Sequence, residues 1–110
     1  MKFFVLCHDI NLEVFYKTVI SKLGHEYIIQ NEKDFNYIVT DFNPDFVLID
    51  DSFIDVLKGD DLEGELPQKY QDICYYLGNE NMPSFVTNTI KKPLDSFYFI
   101  EDILKAKRAH

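Results

Sequence analysis

The chain has 110 residues, 46% of them hydrophobic and 15% aromatic, enough for one core and too few for two. Nineteen acids against eleven Lys and Arg give a net charge of -8, which repels a phosphate backbone or an anionic lipid surface unless the cations are segregated. The basic cluster KAKRAH, residues 105 to 110, reads as cations at the C-terminal end of a helix, and no apolar run reaches membrane-spanning length. Neither nucleic acid nor membrane is therefore an expected partner.

The first element is FFVLC, residues 3 to 7, a continuous apolar run of the kind that forms a strand covered on both faces. Leu12, Phe15, Tyr16, Val19, Ile20 and Leu23 then recur at three- and four-residue steps, the stripe of a helix from Asn11 to Leu23 that Gly24 stops. HEYIIQ, residues 25 to 30, is a second strand. Phe35, Ile38, Val39 and Phe42 mark a second helix, ended by Asn43 and Pro44, and DFVLID, residues 45 to 50, is a third strand. Strand and helix alternate without hairpin turns, which argues for parallel crossovers with helices on both faces of one sheet.

Residues 52 to 71 have room for a third helix, but Gly59, Gly64 and Pro67 interrupt it, and the acidic stretch DDLEGE reads as a solvated loop without the ligand register of a calcium site. DICYYL, residues 72 to 77, and SFVTNTI, residues 84 to 90, are the fourth and fifth strands. Only GNENMP separates them, too little for an ordinary crossover helix. A last helix begins near Asp95 or Ser96 and runs through Phe97, Ile100, Ile103 and Leu104. The whole reads as one domain, residues 1 to 110.

Cys7 and Cys74 lie in apolar runs without CxxC spacing, so buried thiols in a reducing compartment are expected, and MKFFVLCHDI meets Asp9 too early for a secretory leader. The expected location is cytoplasmic. In an open parallel sheet the ligand edge is the carboxyl end of the strands, which brings Cys7, His8 and Asp9 beside Asp50 and Asp51.

With these residues in place, the chain resembles the receiver domains of two-component response regulators over nearly its whole length. PDFVLID matches the family's third strand, which ends in the phosphoacceptor aspartate, and KKPLDSF matches its lysine-proline step after the fifth strand. The resemblance implies a flavodoxin-like α/β three-layer sandwich with a five-stranded parallel sheet of order 2-1-3-4-5, and a cis bond before Pro93. It places the phosphoacceptor on Asp50 and the phosphoryl-binding lysine on Lys92. It also implies Mg²⁺ held by an acid pair after the first strand, by the phosphoacceptor and by the backbone carbonyl of Ser52.

Several positions depart from the family pattern. Counting back from Gly24 puts the acid pair on Cys7 and His8, poor ligands for Mg²⁺, with Asp9 one position late. Leu77 stands where a hydroxyl reads the phosphate, Thr89 or Ile90 where an aromatic couples to it, and the fourth helix, between the fourth and fifth strands, is lost or reduced. The leading reading is an atypical receiver, a signalling module acting by protein-protein interaction with weak or absent phosphorylation, in which Asp50 and Lys92 persist as an ion pair. A second keeps Asp50 as the phosphoacceptor of a histidine kinase, with Asp9 and Asp51 helping to hold Mg²⁺. A third takes Cys7, His8, Asp9 and Asp50 as ligands of a softer metal such as Zn²⁺. Loss of the fourth helix is expected to expose Tyr75, Tyr76, Phe85, Phe97, Tyr98 and Phe99 and to drive homodimer formation through the fourth-strand, fifth-strand and last-helix face.

Overall fold

The computed structural model describes residues 1–94 and 98–108, without the side chains of residues 59, 60 and 106–108. The expected cap at Asp95 or Ser96, Phe97 and the last two residues of the basic cluster lie outside that range. In chain order the elements are β1 (Lys2–Leu6), α1 (Ile10–Lys22), β2 (Glu26–Gln30), α2 (Asn36–Phe42), β3 (Phe46–Asp50), a 3-10 turn (Asp51–Asp55), α3 (Gly59–Glu65), α4 (Gln68–Gln71), β4 (Cys74–Leu77), β5 (Asn88–Ile90) and α5 (Tyr98–Arg108). All five strands are parallel, in the order β2-β1-β3-β4-β5. This is the expected sheet.

Alternation along the strands sorts the core into two layers. Phe4, Leu6, Val47, Ile49, Cys74 and Tyr76 pack on one side with Phe35 and Val39 of the α2 region and Leu62, Leu66 and Tyr70 of the α3–α4 region. Phe3, Val5, Cys7, Phe46, Leu48 and Leu77 pack on the other with Tyr16, Val19 and Ile20 of α1 and Phe99, Ile100 and Ile103 of α5. The period of two in a strand thus assigns each side chain to a helical layer, and Asp50, two residues beyond Leu48, shares the α1/α5 side. The helix ends follow from local chemistry. Asp9 caps α1, and at its other end Gly24, at φ +79°, lets His25 N–H bond back to the Ile20 carbonyl.

Two expectations are corrected in the middle of the chain. DDLEGE is not a solvated loop: it lies within α3, whose Leu62 is fully buried and accepts the Leu66 N–H, so one leucine anchors the turn while Asp61 and Glu63 remain in water. The fifth strand is also shorter than SFVTNTI, because residues 84–87 belong to the connection. That connection, residues 78–87, contains no helix and still returns the chain to a parallel neighbour, as the short GNENMP spacer implies.

The expected apolar patch does not form as proposed. Val86 is buried and Phe85 partly buried against the α2–α4 layer, Tyr76 lies under them, and Phe99 is buried against α1. The connection itself covers what a crossover helix would otherwise cover. Of the six aromatic residues, Tyr98 is the one that is strongly exposed among those described, at 66%.

Candidate functional site

The site lies at the carboxyl ends of β1, β3 and β4. The Lys92–Pro93 peptide is cis, and Lys92 reaches the site from just beyond β5. Asp50 ends a strand of five buried residues and is itself 0% exposed, the one buried charged residue among those described. Its carboxylate is fully engaged. Oδ1 accepts the Tyr16 hydroxyl at 2.5 Å and pairs with Lys92 Nζ at 2.9 Å, while Oδ2 accepts the Ser52 N–H at 3.0 Å and the Ser52 hydroxyl at 2.5 Å. Four donors on two oxygens match the capacity of a carboxylate, and burial on these terms needs no water.

The surrounding groups are tied to this centre. Ser52 Oγ accepts the His8 N–H at 3.0 Å, and Cys7 Sγ lies 3.7 Å from the same oxygen while donating to the Asp9 carbonyl at 3.5 Å. Lys92 Nζ also donates to Asp51 Oδ1 at 2.6 Å, so one ammonium serves two carboxylates. Burial works to lower the Lys92 pKa, but its hydrogen bonds to Asp51 and Asp50 outweigh it and hold the group above its ordinary value. Burial, reinforced by the Asp50 charge, pushes the Tyr16 phenol far up, which keeps it a donor, and burial pushes the Cys7 thiol up to about 11.

The donor set does not fit the cation that the resemblance implies. Both Asp50 oxygens are occupied by protein donors, and Asp9 Oδ1 is committed to α1, where it accepts from Asn11 N–H at 2.9 Å and Leu12 N–H at 3.3 Å. Ser52 faces Asp50 with its N–H and hydroxyl, which compete with a cation for the same lone pairs. Mg²⁺ keeps several waters and takes its remaining oxygens from one or two carboxylates, and at the centre of the implied set neither Asp50 oxygen is free to serve as one. The softer-metal set is not assembled either: Cys7 and Asp50 are wholly buried whereas His8 is exposed, and among the described residues no group of three His, Cys, Asp or Glu is placed to hold a metal.

Sequence reasoning brings Asp50, Asp51, Lys92, Cys7, His8 and Asp9 to one edge, and the structure places them there. It misses Tyr16, which reads as one apolar rung of α1, and the side chain of Ser52, for which only the carbonyl is considered. A buried tyrosine needs a partner for its hydroxyl, so a Tyr on the buried stripe beside Val19 and Ile20 is the available signal. Leu77, where the family carries a hydroxyl, is fully buried in the α1/α5 layer and pairs in register with Asp50. Neither Thr89 nor Ile90 supplies an aromatic; the Thr89 hydroxyl bonds to the Tyr76 carbonyl at 3.2 Å.

No family model matches the sequence, and no curated protein matches it. Solved structures do match. NtrX from Brucella abortus superposes with a TM-score of 0.71 at 18% identity over 98% of this chain, which spans 26% of the NtrX chain. The N-terminal domain of the nisin resistance regulator NsrR matches with a TM-score of 0.66 at 20% identity, over 98% of this chain and 94% of that one. A CheY-like receiver domain protein from Methanospirillum hungatei JF-1 matches at 0.63 and 18% identity, over 96% and 89%. The fold is that of the response regulator receivers.

Proposed function

We propose that this chain is a receiver-type signalling module that does not take up a phosphoryl group and acts by binding other proteins. The observation that carries the reading is the closed carboxylate: an acceptor aspartate must present a lone pair to an incoming phosphorus, and each Asp50 oxygen already holds two donors while Asp50 itself is wholly buried. A hard cation would have to displace Tyr16 or Ser52 before it could neutralise an incoming phosphate. The test is intact mass after incubation with an acyl phosphate, with and without Mg²⁺. The expected spectrum is unchanged under both conditions. A Mg²⁺-dependent gain of one phosphoryl group, abolished by Asp50→Asn, would make Asp50 a phosphoacceptor and favour instead the reading in which a histidine kinase supplies the phosphate.

We also propose the β4/β5/α5 face as the route of self-association, on a narrower basis than the sequence implied. β5 ends the sheet, and between it and α5 runs a groove whose lining mixes Tyr75, Ile90 and Ile103 with Thr87, Asn88 and Asp102. Sedimentation at high concentration is expected to give the mass of two chains, and Ile90→Asp to return it to one. A wild-type mass of one chain throughout would rule this face out. The cytoplasm remains the proposed location, since Cys7 and Cys74 are free buried thiols.

A further inference from the structure

The ends of three strands meet around Lys92. From β3 comes Asp51, hydrogen-bonded to Nζ at 2.6 Å. From β4 comes Gly78, and a Cβ built there would lie 2.7 Å from both Cβ and Oδ2 of Asp51, so the carboxylate fits only because residue 78 has no side chain. Beyond it, Asn79 grips the Lys92 backbone twice: its Oδ1 accepts the Lys92 N–H at 3.1 Å and its Nδ2 donates to the Lys92 carbonyl at 3.3 Å. Gly78 N–H donates to Ile90 O at 3.0 Å, and the Thr89 hydroxyl bonds the carbonyls of Tyr76 and Gly78. The segment from Gly78 to Lys92, which has no crossover helix to stiffen it, is thus tied back to β3 through one ammonium group.

We propose that Asp51, Lys92 and Asn79 form a permanent clamp in which the Asp51 carboxylate supplies, from within the chain, the second anion that a phosphoryl group on Asp50 would bring to Lys92. The proposal rests on the receiver reading above and extends it from absent phosphorylation to a fixed state. Lys92 Nζ stands 2.9 Å from Asp50 Oδ1 and 2.6 Å from Asp51 Oδ1, so the ammonium has one anion on each side and no further anion is needed to hold it. Tyr16 completes the arrangement as a positioning residue, giving Asp50 Oδ1 the second electrostatic partner that an external cation would otherwise provide. With both partners internal, the conformation of residues 78–92 does not depend on a signal delivered at Asp50. Gly78 is part of the device, because any larger residue forces Asp51 away from the end of β4.

The clamp is tested by amide hydrogen exchange on the full chain without phosphodonor. Asp51 is 36% exposed, so Asp51→Asn is expected to leave the fold intact and to accelerate exchange at the Gly78 and Lys92 amides by about tenfold or more, with the Val5 amide of β1 unchanged. Gly78→Ala, which displaces the same carboxylate by contact rather than by charge, is expected to give the same local pattern. Exchange at Gly78 and Lys92 that matches the wild type in both variants would overturn the clamp. Acyl phosphate and Mg²⁺ are then added to the wild type and read by intact mass: uptake overturns the reading that Asp50 takes no phosphoryl group, whereas no uptake together with wild-type exchange in both variants overturns the clamp alone.

Discussion

Replacing Asp50 by asparagine is expected to lower the unfolding free energy by about 3 kcal/mol, although the substitution is nearly isosteric. The reason is the number and type of partners. The carboxylate accepts from the Tyr16 hydroxyl, the Ser52 N–H, the Ser52 hydroxyl and the Lys92 ammonium, all of them donors in this arrangement. An amide offers one oxygen and turns an NH2 group towards two of those donors, so at least one pair is orphaned in a fully buried place. For a chain of this size the thermal midpoint falls by more than about 10 °C. A solvent-facing phosphoacceptor would tolerate the same change with little loss, because water would accept whatever the amide could not. Urea denaturation of the two proteins distinguishes these outcomes, and an Asp50→Asn variant as stable as the wild type contradicts the closed site.

Lys92→Ala is expected to cost a similar amount, about 3 kcal/mol, by leaving Asp50 without its counter-charge in the interior. The pair is not worth that sum in isolation, since forming it required removing two charges from water; the cost belongs to the carboxylate left behind. Tyr16 and Ser52 limit the damage by continuing to donate. The same pair sets an alkaline limit. The folded-state pKa of Lys92 lies above its ordinary 10.5, so the stabilisation is fully present below that value and is lost as pH rises through the folded-state pKa. Lys92 is 21% exposed, and solvent screening moderates the slope. Unfolding followed above pH 10.5 is expected to show this added loss in the wild type and not in Lys92→Ala; equal slopes contradict the assignment.

Much of the fold was legible because the periodic signals were strong. The run from Phe3 to Cys7 and the stripe from Leu12 to Leu23 differ in period, and each formed its element within a residue or two. The short connection after Leu77 announced the missing crossover helix. Less was legible where stability comes from a single tertiary anchor: α3 rests on Leu62, whose neighbours are acids and glycines, so local propensity pointed to a loop. The site divided in the same way. Asp50 and Asp51 could be placed from a strand end, and Lys92 through the resemblance that KKPLDSF carries. Tyr16 could not, because a tyrosine on a buried helical stripe looks like core until the residue facing its hydroxyl is known. The apolar patch failed as an expectation for a related reason, since nothing in Phe85 and Val86 marked them as the cover over Tyr76 rather than part of a strand.

Asp50 is closed only if partners within the chain hold it, and a double-mutant cycle between Tyr16→Phe and Asp50→Ala, which leaves no oxygen to accept the hydroxyl, measures that bond most directly. A hydroxyl donating to a buried carboxylate at 2.5 Å predicts a coupling free energy of about 1.5 kcal/mol or more between the two positions. Additive losses, with a coupling inside about 0.5 kcal/mol, would mean that Tyr16 does not occupy Asp50 and that the carboxylate is open to other chemistry.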